Sequence, residues 1–205
     1  MITSRVWFIT GASRGLGRAF TEAALAAGDE VVAVARNIEP LASLATRHPD
    51  QLHPLSLDVT DRQAVFDGVD AAVTAFGRPD IVVNNAGGML YGMVEEATEA
   101  QIRAHLDLNF FGAVWVAQAV LPHLRAGGGG RLLQVTSMGS GGGMATVGFY
   151  GAGKAAPVIL ELVALPDPPR RLIVGSQSFD HVLEMDRARD RGYHEWEHLS
   201  RQAPG

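Results

Sequence analysis

Cysteine is missing from this 205-residue chain, which excludes disulfides and thiolate metal sites and permits a reducing, intracellular setting. Positive charge is also short. With 17 Lys and Arg against 22 Asp and Glu, the net charge is -5, so there is no basic field to attract nucleic acid. No apolar run in the sequence approaches membrane-spanning length, and the first strand pattern begins within a few residues of Met1, leaving no room for a cleaved leader. These absences point to a protein with neither nucleic-acid nor membrane partners, and to the cytoplasm as the default location. What the chain has in quantity is apolar residues, 47% of the total, enough to build the core of one domain.

The apolar residues alternate between two periodicities. Short β-rich runs predict strands over residues 6–9, 31–35, 52–57, 81–84 and 132–137. Between them the spacing is helical: Leu16, Ala19, Phe20, Ala23, Ala24 and Ala27 lie on one face, with Gly28 where a C-terminal cap belongs. After Asp61 come Val65, Val69, Ala72, Val73 and Phe76, and a long helix from about Glu99 carries Ile102, Leu106, Phe110, Ala113, Val114 and Ala117. Alternation of this kind predicts an α/β fold with a doubly wound parallel sheet of Rossmann type. Residues 127–130 read as a loop, residues 139–143 as a flexible turn, and no internal repeat is present.

Two constellations carry chemistry. Tyr150 and Lys154 are four apart on a helix-compatible stretch, so a phenol and an ammonium share one face. A fixed positive charge favours the phenolate of a group that otherwise titrates near ~10, which suits proton transfer. Ser137 closes the predicted fifth strand, at the carboxyl edge where ligands of open α/β sheets bind. The second constellation is Thr10-Gly11-Ala12-Ser13-Arg14-Gly15-Leu16-Gly17, between the first strand and the first helix. Strand, glycine turn and helix in that order cradle a dinucleotide: Gly11 for the tight turn, Gly15 for close approach to the pyrophosphate, Gly17 for packing helix on strand.

With Asn84-Asn85-Ala86-Gly87 after the fourth strand and Asn109 within Leu108-Asn109-Phe110-Phe111-Gly112, these motifs make the chain resemble the short-chain dehydrogenase/reductase family over roughly residues 2–156. The resemblance implies a nicotinamide cofactor and hydride transfer at a carbonyl or alcohol carbon of a small or lipid-like substrate. It implies that Tyr150 is the general acid/base, that Ser137 holds the substrate oxygen, and that Lys154 binds the nicotinamide ribose and lowers the tyrosine pKa. Asn109 then supports a water in the proton relay. Ser13, Leu16, Asp58, Val59, Asn85, Ala86 and Gly87 fall at cofactor-contacting positions of the pattern. At the end of the second strand the chain reads Val34-Ala35-Arg36, with no acid until Glu39; Arg36 and Arg14 therefore favour NADP(H) over NAD(H).

The resemblance fades after Lys154. The family continues with the rest of a long helix and two more strands, whereas here residues 157–165 run into Pro166-Asp167-Pro168-Pro169, after which Arg171-Leu172-Ile173-Val174-Gly175 reads as a short terminal strand and Phe179 onward as a polar, amphipathic helix. We read a single domain, residues 1–205, with a cofactor-binding and catalytic part, 1–156, and a C-terminal part, 157–205, shortened by an internal deletion. Pro157 would end or kink the catalytic helix. A fifth strand left at the sheet edge leaves room for a homo-oligomer or for impaired turnover. His194-Glu195-Trp196-Glu197-His198 satisfies the H-E-x-x-H zinc pattern, but no third ligand is near; we assign no metal and keep this terminal site as an alternative. The histidines at 48, 53, 105, 123 and 181 carry no ligand spacing and read as ordinary surface or core polar residues.

Overall fold

A computed structural model describes residues 4–137, 146–155, 180, 182–184, 186–191, 194, 195 and 197. Five strands make one parallel sheet: β1 (Val6–Thr10), β2 (Glu30–Ala35), β3 (Leu52–Ser56), β4 (Ile81–Asn84) and β5 (Arg131–Gln134), in the order β3-β2-β1-β4-β5. β1, β2 and β4 are nearly continuous apolar runs because helices cover both faces. Phe8, Val32, Val34, Val82 and Leu132 point to one face, where they meet Val65, Val69, Val116 and Val120 of α3 (Arg62–Phe76) and α5 (Gly112–Ala126). Ile9, Val31, Ala33, Ile81 and Val83 point to the other, against α1 (Gly15–Ala26) and α2 (Ala42–Arg47). Each such buried side chain contributes roughly 1.5–3 kcal/mol. The doubly wound Rossmann-type architecture is therefore the one that the alternating pattern predicts.

Strand order reverses between β1 and β4. From β1 the chain steps outward to β2 and β3, then returns to the other side of β1 for β4 and β5. The carboxyl ends of β1 and β4 thus flank the switch point, where open α/β sheets form the crevice that binds ligands.

Helix ends follow local chemistry. Gly28 closes α1 at φ +83°, with its N–H on the Leu25 carbonyl and the Asp29 N–H on the Ala24 carbonyl, a glycine cap of the Schellman type. Asp61 caps α3 by accepting from the Ala64 N–H at 3.1 Å.

Three expectations are corrected. The fifth strand ends at Gln134, three residues before Ser137, because its partner β4 stops at Asn84; the Val135 N–H takes the Asn84 carbonyl and no ladder remains beyond it. The long helix from Glu99 is not uniform: α4 (Glu99–Leu106) passes through a π-helical turn, Asp107–Phe111, before α5 begins. That combined helix, Glu99–Ala126, is by length and composition apolar enough to cross a membrane, although no single sequence run suggested it. Val116, Ala117, Val120 and Leu124 are spent on the sheet instead, as a core helix requires. The short α2 was not anticipated, since six residues carry too little periodicity to register. Pro157 and the rest of the segment up to residue 179, on which the deletion was read, lie outside the described residues.

Beneath the sheet, at the amino ends of the strands, Asp29 gathers three donors. Its carboxylate accepts from the Arg5 N–H at 3.0 Å, the Arg5 Nε at 3.1 Å and the Trp7 indole at 2.8 Å, and Arg5 Nη2 lies 2.8 Å away. Burial works to raise the Asp29 pKa, but the Arg5 backbone, the Trp7 indole and the Arg5 guanidinium together outweigh it and hold the carboxyl below its ordinary value. A depressed carboxylate pKa contributes stability that is present above the unfolded value of ~3.9 and is lost as the pH falls through the folded one. Asp29→Asn should destabilise the protein by about 1–3 kcal/mol at neutral pH. It should also flatten the acid limb below about pH 4. Chemical denaturation at pH 7 and pH 3 measures both effects, and an unchanged acid limb would count against the assignment.

Candidate active site

The glycine turn is built by hydrogen bonds between the ends of β1 and β4. The Thr10 hydroxyl, fully buried, donates to the Val83 carbonyl at 3.3 Å and accepts from the Asn85 and Ala86 N–H groups at 3.0 and 2.9 Å. The Asn85 amide donates back to the carbonyls of Thr10 and Gly11 at 2.9 and 3.3 Å. The Ala12 N–H binds the Val34 carbonyl at 3.0 Å, tying the turn to β2 as well. Asn85 thus spends its side chain on shaping the loop.

Three glycines divide the labour expected of them. Gly11 turns the chain at φ +66°. A Cβ on Gly17 would stand 2.3 Å from the Gly11 carbonyl oxygen, so only glycine lets α1 lie against the turn. Gly15 sits at φ +56° with nothing within 4 Å of a Cβ position, which leaves its side open. At the N-terminus of α1, Arg14 occupies the cap position without any side-chain cap, so the first-turn N–H groups face the crevice unpaired by side chains. Such a terminus favours anions. Ser13 is half-buried on this turn, while Leu16 is exposed beside it.

The second half of the site comes from the π-helical turn and from α6 (Gly148–Ala155). A π-helical turn widens the helix and frees a carbonyl; here the buried Asn109 donates from its amide to the His105 carbonyl at 3.0 Å. Its Oδ1 accepts from the Gly88 N–H at 3.2 Å, fixing the amide orientation. Lys154 lies beside it, only 5% exposed. Its ammonium donates to the Val135 carbonyl at 3.4 Å, the one acceptor it has among the described residues. Burial pushes the Lys154 pKa down. A Cβ on Gly87 would stand 2.6 Å from the Lys154 Nζ and 2.9 Å from the Asn109 Oδ1, so Gly87, Asn109 and Lys154 meet at one point.

Tyr150 is one turn before Lys154 on α6 and half-buried; its ring sits 6.2 Å from that of His105, and its hydroxyl makes no hydrogen bond among the described residues. Ser137, three residues past β5, is half-buried. The turn at residues 139–143 lies outside the described residues.

Other predicted residues are placed differently. Val59 is a core residue, 5% exposed, packed under Gly112 of α5. Asp58 accepts from the N–H and hydroxyl of Thr60 at 3.0 and 2.9 Å, shaping its own turn. Arg36 leaves the end of β2 into solvent, 72% exposed at the side chain and 4.0 Å from the Asp58 carboxylate, a surface pair of small worth. Arg14 is exposed as well. Ala86 and Gly87 flank the crevice. His194 is exposed, with Asp190 and Glu197 at 3.9 and 3.8 Å, and no group of three His, Cys, Asp or Glu is placed to hold a metal among the described residues; His198 lies outside them. Sequence reasoning missed Thr10 as the joint of the loop and His105 as a member of the site. Their signals were present, a threonine directly before the glycine turn and a histidine one helical turn before Asn109.

The residues suit a dinucleotide. An uncapped helix N-terminus beside an open glycine offers N–H donors for a pyrophosphate, and a buried ammonium with one acceptor among the described residues lies against Gly87, next to the residue that packs on the glycine turn.

Comparison with known proteins agrees. A family model described as short chain dehydrogenase matches residues 5–163. Oxidoreductase BOA17 of Botryotinia fuckeliana is 41% identical over 154 residues, covering 75% of this chain and 56% of its own length. A solved short-chain dehydrogenase from Streptomyces avermitilis superposes with a TM-score of 0.91 at 28% identity, over 99% of this chain and 100% of that one. A gluconate 5-dehydrogenase from Burkholderia cenocepacia, solved with NADP and tartrate, matches at 31% identity and TM-score 0.72, over 78% of this chain and 64% of that one. Another match, a short chain dehydrogenase/reductase from Burkholderia phymatum, was solved with NAD; it is 26% identical with TM-score 0.72, over 77% and 57%. The chain spans little more than half the length of the first curated relatives it matches.

Thr10→Val keeps the shape of the side chain but removes three hydrogen bonds and strands the Ala86 N–H, while the Asn85 N–H keeps the Val83 carbonyl, which together should cost about 2–4 kcal/mol. It should lower the melting temperature by roughly 5–15 °C at this chain length. A calorimetric scan decides it; a shift under 2 °C would mean the loop is held by other contacts.

Proposed function

Because the chain belongs to the short-chain dehydrogenase family, we propose that it is an oxidoreductase that transfers hydride between NADP(H) and a carbonyl or alcohol of a small or lipid-like molecule. The observation that carries this reading is that a Cβ on Gly87 would stand 2.6 Å from the Lys154 Nζ while the preceding Ala86 lies 3.0 Å from where a Cβ on Gly11 would be, so the lysine and the glycine turn adjoin. When bound, the coenzyme supplies or accepts the hydride. In the reducing direction the Tyr150 hydroxyl gives its proton to the substrate oxygen as the carbonyl carbon gains hydride, and the alcohol leaves with both. In the oxidising direction the same oxygen takes the proton back. Ser137 holds the substrate oxygen, Lys154 binds the nicotinamide ribose, and Asn109 supports the water through which the tyrosine is reprotonated.

For coenzyme choice, Arg36 and Arg14 are exposed cations at the rim where the adenosine ribose would lie, and no acid stands at the end of β2 to bond its hydroxyls. An arginine there can take a 2'-phosphate through bidentate hydrogen bonds. The net charge of -5 and the absence of cysteine fit the same picture, a cytoplasmic enzyme with no nucleic-acid or membrane partner.

A second reading is a nucleotide-binding homologue without turnover. It draws on the family match stopping at residue 163, and on β5 being the last strand at its edge among the described residues. Coenzyme binding with no turnover over a broad carbonyl panel would favour it.

Two measurements test the main reading. Titrating NADPH and NADH should give tighter binding of NADPH, and Arg36→Ala should remove about 1.5–3 kcal/mol of that preference, the worth of a charge-assisted contact; equal affinities in the parent protein would defeat the NADP assignment. Tyr150→Phe should reduce turnover at least ~100-fold with coenzyme affinity nearly intact, because the proton donor is lost and the phosphate contacts are untouched. Lys154→Ala should weaken both. A Tyr150→Phe protein that keeps most of its turnover would rule out the proton path.

A further inference from the structure

Gly153 is an unusual choice inside α6, since glycine weakens helices. Its surroundings supply the reason. A Cβ there would stand 3.0 Å from the His105 Nε2 and 3.2 Å from the Asn109 Cβ. The missing side chain leaves a slot on the flank of α6, and the His105 imidazole from α4, 7% exposed, occupies it.

The polarity of this contact is forced. The Gly88 N–H can only donate, so the Asn109 Oδ1 faces it and the Asn109 amide nitrogen faces the other way. That nitrogen lies 3.0 Å from the His105 carbonyl and 3.1 Å from the His105 Nδ1. The same nitrogen lies 3.5 Å from the His105 Nε2, so it sits against the ring between its two nitrogens and presents a donor to a neutral imidazole. Nε2 is the ring atom nearest the Cβ position of Gly153. A side chain on residue 153 would close that approach.

We propose that His105 is a positioning residue: its neutral imidazole, seated in the slot left by Gly153, fixes α6 and with it Tyr150 and Lys154 against the Asn109–Gly88 hydrogen bond. The effect on turnover rests on the oxidoreductase reading; the bridge itself does not.

The bridge is built for neutral pH. A second ring proton would set a cationic imidazole against the Asn109 amide donor, and the Asn109 amide would have to turn and release Gly88 to relieve it. The titratable groups facing the ring both come from α6: Tyr150, with ring centroids 6.2 Å apart, and Lys154. The Gly87–Gly88 turn brings no charge to it. Burial, then the Lys154 charge, hold the His105 pKa below its ordinary value, against the opposing hydrogen bond with the Phe149 backbone. A histidine pKa lowered by folding gives stability that is full above the unfolded value of ~6.5 and is lost as the pH falls towards the folded one.

Three arms test the bridge. Nitrogen-15 NMR of the imidazoles should find the His105 ring neutral at pH 7.5, titrating below about 6.5; a ring charged at neutral pH would overturn the proposal. Melting curves form a double-mutant cycle. Gly153→Ala should lower Tm when His105 is present and raise it in a His105→Ala background, where only helix propensity remains; the same shift in both backgrounds would refute the slot. In turnover assays, His105→Ala should lower kcat about tenfold with the coenzyme KM within about twofold, and His105→Gln, which can both accept and donate, should recover most of the loss. A loss confined to KM, or no recovery by glutamine, would contradict a positioning role. If the parent protein neither binds coenzyme nor turns over, the oxidoreductase reading fails, while the NMR and melting arms still decide the bridge.

Discussion

The Thr10 hydroxyl joins the carboxyl ends of two neighbouring strands, and the crevice depends on that joint. One oxygen donates to Val83 and accepts from Asn85 and Ala86, so the turn after β1 and the turn after β4 are held as one piece. Without it, the Asn85 amide on the Thr10 and Gly11 carbonyls would be left to tie the loop that opens α1 to the strand end that leads to Gly87. The joint sits where the strand order reverses, the only place along the sheet edge where adjacent connections diverge and leave space. Fold topology opens the space; the threonine gives it a fixed shape.

The opposite wall of the crevice is organised around a buried charge. The ammonium of a lysine that is 5% exposed, with a single carbonyl acceptor at 3.4 Å among the described residues, is costly to keep in a protein interior. Around it the structure places small or neutral groups: Gly87, where any Cβ would collide with the Nζ, the Asn109 amide, and a histidine held neutral. Spare donors on a desolvated cation are what a ribose and a phenol can use. Both walls therefore present hydrogen-bond donors to one volume, which is why the site suits an anionic dinucleotide.

Most of this was legible in the sequence because motifs with fixed spacing impose fixed geometry. Strand, glycine turn and helix from Val6 to Ala26 came out as read, and so did the placement of Tyr150 and Lys154 on one helix. The doubly wound sheet was legible from alternating periodicities alone. Ser137 was read as a strand end and lies three residues beyond it, because strand length is set by the partner, and β4 ends at Asn84. The π-helical turn around Asn109 was invisible, since one extra residue in a helix leaves the apolar pattern nearly unchanged. His105 was read as an ordinary histidine: its significance comes from Gly153, 48 positions away, and only packing brings them together.

The central claim is that the glycine turn at the head of α1 and the α6 helix bearing Lys154 are two walls of a single nucleotide site. Amide hydrogen exchange with and without saturating NADPH tests it most directly. The account predicts that residues 11–17 and residues 148–155 gain protection together, with the same dependence on coenzyme concentration. Protection of the glycine turn alone, with α6 exchanging at its unliganded rate, would contradict it.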